Sequence, residues 1–218
     1  MIASAVAASA VALTAVPASA LPLSVDIDPT GTNIAITATN SGNVIGANDR
    51  TGAVLVCSGL TASGVLPSGG SGLSPTHIAK VTSVSFSGCT VLSNPATVTA
   101  HVSSSDPWWL DVTGPTSGTS TPGQLTGVDV TIDVPALGCT SDANGAGSAE
   151  GVIPGNHIDR SGPGAASQLT LPPPPNQGDN IELENVSTTC PSSIAANGDS
   201  VSIAGTLNIN PGLTVLAS

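Results

Sequence analysis

The chain contains no tyrosine, one phenylalanine and two tryptophans, so neither a core nor a cleft can be built on aromatic rings. A carbohydrate cleft with several stacking platforms is excluded by that count, and so are the aromatic girdles of an outer-membrane barrel. Positive charge is almost as scarce. Arg50, Lys80 and Arg160 are the only lysines and arginines, against 14 acidic residues, and the net charge is −11. Three separated cations cannot assemble the basic patch that phosphate neutralisation requires, so nucleic acid is not a partner. A cationic amphipathic helix for a membrane surface is missing for the same reason. After residue 20 no run is long and apolar enough to span a bilayer, and no segment shows a helical period.

What the chain does have is small and aliphatic. Hydrophobic residues make up 39% of its 218 positions, mostly Ala, Val, Leu and Ile, which is too many for a disordered chain. The 25 glycines and 18 prolines break helices and supply turns. Between them, apolar residues recur at every second position. In Val128–Val134, Val128, Val130, Ile132 and Val134 oppose Asp129, Thr131 and Asp133. Residues 33–39 and 97–102 alternate likewise, as do Val201/Ile203 and Leu207/Ile209. Such runs predict half-buried antiparallel strands, hence an all-β fold, either a β-sandwich or a barrel. Residues 63–75, rich in Gly and Ser, and 112–126, rich in Gly, Ser, Thr and Pro, read as irregular connections. The Pro172–Pro175 run reads as a stiff surface loop.

The first 20 residues carry no charge and end in Val16-Pro17-Ala18-Ser19-Ala20, a small-residue cleavage site. They predict a signal peptide cut after Ala20, although the usual basic start is missing, and a cell-surface or extracellular destination for the mature chain, without a membrane span. In that oxidising setting four cysteines imply two disulfides, with three connectivities open. A weak internal repeat selects one. Thr61–Pro67 after Cys57 matches Ser148–Pro154 after Cys139, and Val84–Cys89 matches Asn185–Cys190. Cys57 then pairs with Cys89 and Cys139 with Cys190, each closing its own loop. The implied organisation is a first β-unit over residues 21–113 and a second over 114–218, either as two units or as one continuous domain.

Sites of chemistry are harder to find. No nucleophile elbow, zinc-protease helix motif or phosphate-cradling loop occurs, and no motif calls for a cofactor. His77, His101 and His157 are scattered; His157, beside Asp159 and Arg160, reads as part of a solvated loop. Carboxylates at alternate positions (Asp26/Asp28, Asp129/Asp133, Glu182/Glu184) share strand faces. Asp129 and Asp133 are weak calcium candidates, better explained as a solvated sheet face. Trp108 and Trp109 are the candidate partner contacts. Adjacent strand residues point opposite ways, so one fills the core while the other reaches the surface.

The Cys57–Gly64 stretch, Ser83-Val84-Ser85-Phe86-Ser87-Gly88-Cys89 and Pro107-Trp108 resemble a broad set of small secreted four-cysteine proteins of high-GC Gram-positive bacteria. Their layout is similar: Cys, Ser-Phe-x-Gly-Cys, Pro-Trp, then two further cysteines. The resemblance covers most of residues 40–205 and implies export and the cysteine layout, with no activity attached. The chain departs from it at Thr188-Thr189-Cys190 and in the Pro172–Pro175 run. Three functional classes follow. The leading expectation is a non-enzymatic structural or assembly protein of the cell surface, partnered with itself as an oligomer or polymer, or with an envelope component. The alternative is a monomeric extracellular binding module for a glycan, lipid or protein. The remote alternative is a hydrolase using paired carboxylates or His157.

Overall fold

A computed structural model describes residues 23–147, 149–171 and 180–218. The expected signal peptide and the Pro172–Pro175 run lie outside the described residues. The described chain is built of antiparallel strands, and the positions they take around the wall, several shared by two strands, follow the order of the sequence.

Val25–Asn40 (β1) and Val44–Asn48 (β2) run in one line, since both lie between Val54–Leu73 (β3) and Val201–Asn210 (β13). β3 pairs next with Ala79–Val91 (β4). The following wall position is shared by Asn94–Ala100 (β5) and Trp108–Val112 (β6), which pair with opposite ends of β4. Ser120–Val128 (β7) pairs with β6 and Val130–Val134 (β8) with β5, the two forming one strand bent at Asp129. Beyond them come Cys139–Gly145 (β9) beside β8 and Gly151–Ile158 (β10) beside β7. Ser167–Leu171 (β11) then pairs with β10, and Ile181–Glu184 (β12) with β9. β11 finally pairs with β13, which returns to β1 and β2. On the β12 side the ring closes through a bridge from Glu182 to Ser200 and a Leu183 N–H to Asp199 carbonyl bond of 2.8 Å. The result is a closed up-and-down barrel with eight wall positions, whose first and last strands are paired.

Alternation explains why the wall closes around an apolar interior. In β9, Cys139, Ser141 and Ala143 are buried while Thr140 and Asp142 face outward; in β12, Ile181 and Leu183 are buried between Glu182 and Glu184. Among the described residues the exposed large hydrophobics are Leu92 and Leu216. A transmembrane barrel needs the reverse pattern, with an apolar outer band.

Both ends are covered. At one end, residues 185–200 cross the opening and put Ile194 and Ala195 against the interior. They are fastened by the Cys139–Cys190 disulfide and by Asp199, whose carboxylate accepts bonds from Asn48 Nδ2 (2.7 Å), Arg50 Nη2 (2.8 Å) and the Ala196 N–H (2.8 Å). At the other end Thr214–Ala217 (β14) extends the line of β13 and pairs with the start of β1. Interior side chains fasten its backbone: Asp159 accepts from the Val215 N–H at 2.8 Å, Ser167 Oγ from the Leu213 N–H at 3.0 Å, and Thr121 Oγ1 donates to the Val215 carbonyl at 2.8 Å. Cys57 and Cys89 face each other across β3 and β4 and are also joined.

Three expectations need correction. Most of the Gly/Ser stretch 63–75 belongs to β3, paired with β1 as far as Leu73. Small residues suit it because neighbouring backbone comes close: a Cβ at Gly64 would lie 3.0 Å from Val81 Cα. The second half of 112–126 is likewise strand, in β7, leaving residues 113–119 as the connection. His157 is not in a solvated loop; it lies on β10 and faces the interior. The proposed unit boundary at 113/114 falls in the loop between β6 and β7, and the ring takes strands from both sides of it.

Candidate binding cavity

The wall is too wide for its small side chains to fill. Eight-stranded barrels can be packed solid or can hold one small ligand, and here aliphatic residues averaging less than leucine in size leave a hole. A cavity of about 190 Å³ lies inside, bounded by every wall position: Val44 and Leu60, Val81 and Phe86, Val98 and Trp108, Leu125 and Ile132, Cys139 and Ile153, Leu169 and Ile181, Val201 and Ile209. Among the described residues no charged side chain lines it. The polar side chains that do are few, and the largest of the buried ones, Asn48, has both ends of its amide committed, to Asp199 and Ile194 on one side and the Arg50 and Thr51 N–H groups on the other.

Glycines keep the strands close where the wall bends. At Gly151 a Cβ would sit 2.6 Å from the Val128 carbonyl oxygen, so β10 could not approach the β7–β8 bend with any larger residue there.

One side of the cavity is thinly closed. β4 pairs with β6 only at Ala79–Val81 and with β5 only at Cys89–Val91, so among the described residues Thr82–Gly88 has no strand partner on that side. Residues 101–107 leave the wall opposite this stretch. Val84 and Phe86 of β4 and Val98 of β5 line the cavity here and are half-buried, while Ser83, Ser85 and Ser87 point to solvent. The parting is framed at one end by Trp108, which is 5% exposed and whose Nε1 donates to the His101 carbonyl at 3.3 Å.

Trp109 lies on the outer surface of the same strand. Its ring stacks on His77 at 4.5 Å between centroids and lies 5.9 Å from Lys80 Nζ. The two tryptophans are thus divided, Trp108 to the cavity and Trp109 to the outer face. Asp129 and Asp133 are not brought together with a third potential ligand; among the described residues no group of three His, Cys, Asp or Glu could hold a metal. Asp133 instead accepts a 2.8 Å bond from Thr140 Oγ1, and Asp129, whose pKa desolvation pushes up, accepts the His101 N–H at its backbone carbonyl. Asp28 pairs with Arg160, and Asp26 accepts the Gly72 N–H at 2.9 Å.

His157 was not legible as an interior group. Among the described residues neither ring nitrogen has a hydrogen-bond partner; Nδ1 lies 3.5 Å from Asp159 Oδ1, and desolvation depresses the pKa of His157 against the opposing pull of that carboxylate. It borders a smaller void of about 40 Å³ under the main cavity, large enough for ordered water. The usable signal was its phase: Ile153, Gly155 and His157 alternate with Val152, Pro154 and Asn156.

No protein-family model matches this chain, and no curated protein or solved structure does.

Proposed function

We propose that this is a non-enzymatic extracellular protein that binds an apolar, lipid-class ligand inside its barrel. The observation that carries the proposal is the interior cavity of about 190 Å³, walled by aliphatic side chains and, among the described residues, without a charged one. A cavity of roughly 150 Å³ with such a lining stays dry and takes up benzene or xenon, because water there finds no partners and apolar guests gain contacts. An extracellular setting is supported by two disulfides and by the reading of the N-terminus. It also agrees with the resemblance to secreted four-cysteine proteins.

Titration calorimetry with alcohols from butanol to decanol tests the proposal on the disulfide-intact protein. Each added methylene should tighten a one-to-one complex about fourfold, about 0.8 kcal/mol, until the cavity is full. Absence of saturable binding across the series would remove the reading.

Self-assembly at the cell surface is the second reading, and one observation favours it: the unpaired edge of Thr82–Gly88 could accept a strand from another copy. That edge is short, and it lies in a ring that closes from β13 back to β1 and β2.

A further inference from the structure

Resting on the interior-binding reading, we propose that the ligand is a single-chain carboxylate whose tail passes through the parting between β4 and β5–β6 and whose head stays at the lip of that parting, on Lys80.

The size of the cavity sets the first limit. At about 190 Å³ it is only modestly larger than a benzene-binding cavity, so it takes a short alkyl chain or the end of a longer one. A two-chain lipid is too large. The lining sets the second limit. Among the described residues it offers no charge, and leaving a carboxylate unpaired inside would be costly. The head group therefore remains outside. The third limit is the route. Residues 185–200 and β14 are fastened across the two ends, while among the described residues Thr82–Gly88 has no strand partner on the side of the parting and its inward residues Val84 and Phe86 are half-buried.

Charge then identifies the head. Arg50 is held by Asp199 and Arg160 by Asp28, whereas Lys80 has no ion-pair partner among the described residues. Its ammonium donates to the Ser104 carbonyl at 2.6 Å, which leaves two of its three donors for a ligand. Strand alternation places it correctly. Val81 lines the cavity at the last paired position before the parting, so Lys80, its neighbour, stands on the outer face at the same point. Ser104 belongs to the 101–107 excursion on the opposite lip, so the Lys80 side chain already spans the opening. The net charge of −11 does not prevent this, because exposed charges more than about 8 Å away are largely screened at physiological ionic strength.

Calorimetry with decanoate and decanol, on the wild-type protein and on Lys80→Gln, tests the proposal. Lys80 is at the surface, and a thermal melt checks that the variant is folded. Decanoate should bind one-to-one, weaken about fivefold in Lys80→Gln, and weaken with added salt, while decanol is unchanged by either. If decanol binds but decanoate does not, or if Lys80→Gln leaves decanoate affinity intact or weakens both ligands equally, the carboxylate and Lys80 are wrong and the interior site stands. If neither ligand binds, the interior site itself is wrong.

Discussion

At the residue scale the sharpest features are two groups whose protonation is tied to folding. Asp199, 5% exposed, has its pKa lowered to about 2, chiefly by its hydrogen bond to Arg50, with Asn48 and the Ala196 N–H adding to it. A carboxylate depressed in the folded state stabilises above its ordinary value near 4, and that contribution is lost as pH falls toward 2. Burial depresses His157 in the same direction, so its effect starts earlier. Stability should be full above about pH 6.5 and decline below it, because the unfolded chain then binds a proton that the folded one resists. Urea midpoints measured from neutral to mildly acid pH should fall for the wild type and stay flatter for His157→Leu. A variant whose slope matches the wild type would show that His157 is not the titrating group. Asp199→Ala, which leaves the Asn48 amide and the Ala196 N–H without their acceptor, should cost about 1–3 kcal/mol in the same measurement.

Elements divide into those that alternation reveals and those it hides. Val128–Val134 reads as a strand because Val130, Ile132 and Val134 face one way and Thr131 and Asp133 the other, and it is β8 with the end of β7. The Gly/Ser stretch that completes β3 is hidden, because Gly64 and Gly69 are chosen for close backbone approach rather than for an apolar face. Residues 151–158 mislead for a related reason: of the inward positions, Gly155 and His157 carry no aliphatic side chain to set the phase. The disulfides follow from cysteine count and the repeat, but their settings differ. Cys57–Cys89 joins two strands already paired along their length, whereas Cys139–Cys190 anchors a loop. Replacing Cys139 and Cys190 together by serine should therefore expose residues 185–200 to limited proteolysis well below the unfolding midpoint. Replacing Cys57 and Cys89 should lower the midpoint, by up to about 3–4 kcal/mol of stability, without creating that early cut. Equal early cleavage in both variants would contradict the assigned role of the loop.

The whole molecule is where the sequence says least. Barrel closure depends on β13 finding β1 and β2 across most of the chain, and no local pattern encodes that pairing. The cavity is more remote still, since it arises from what small side chains fail to fill once the wall is shut. Its signature was the composition: an aliphatic, charge-poor chain almost without large aromatic rings. Closure also bears on assembly. With the ring closed from β13 back to β1 and β2, light scattering of the disulfide-intact protein should give a monomer, and a regular polymer would favour the strand-edge reading instead. A ligand bound only to the folded barrel should raise its stability by about 2.7 kcal/mol at a hundredfold excess over Kd. The most direct test of the central claim places the ligand in space. In Trp109→Phe, Trp108 is the sole indole and faces the cavity, so a decyl chain brominated at mid-length should quench its fluorescence saturably at one equivalent. Quenching of Trp109 alone in Trp108→Phe, with Trp108 untouched, would put the ligand on the outer surface and contradict the account.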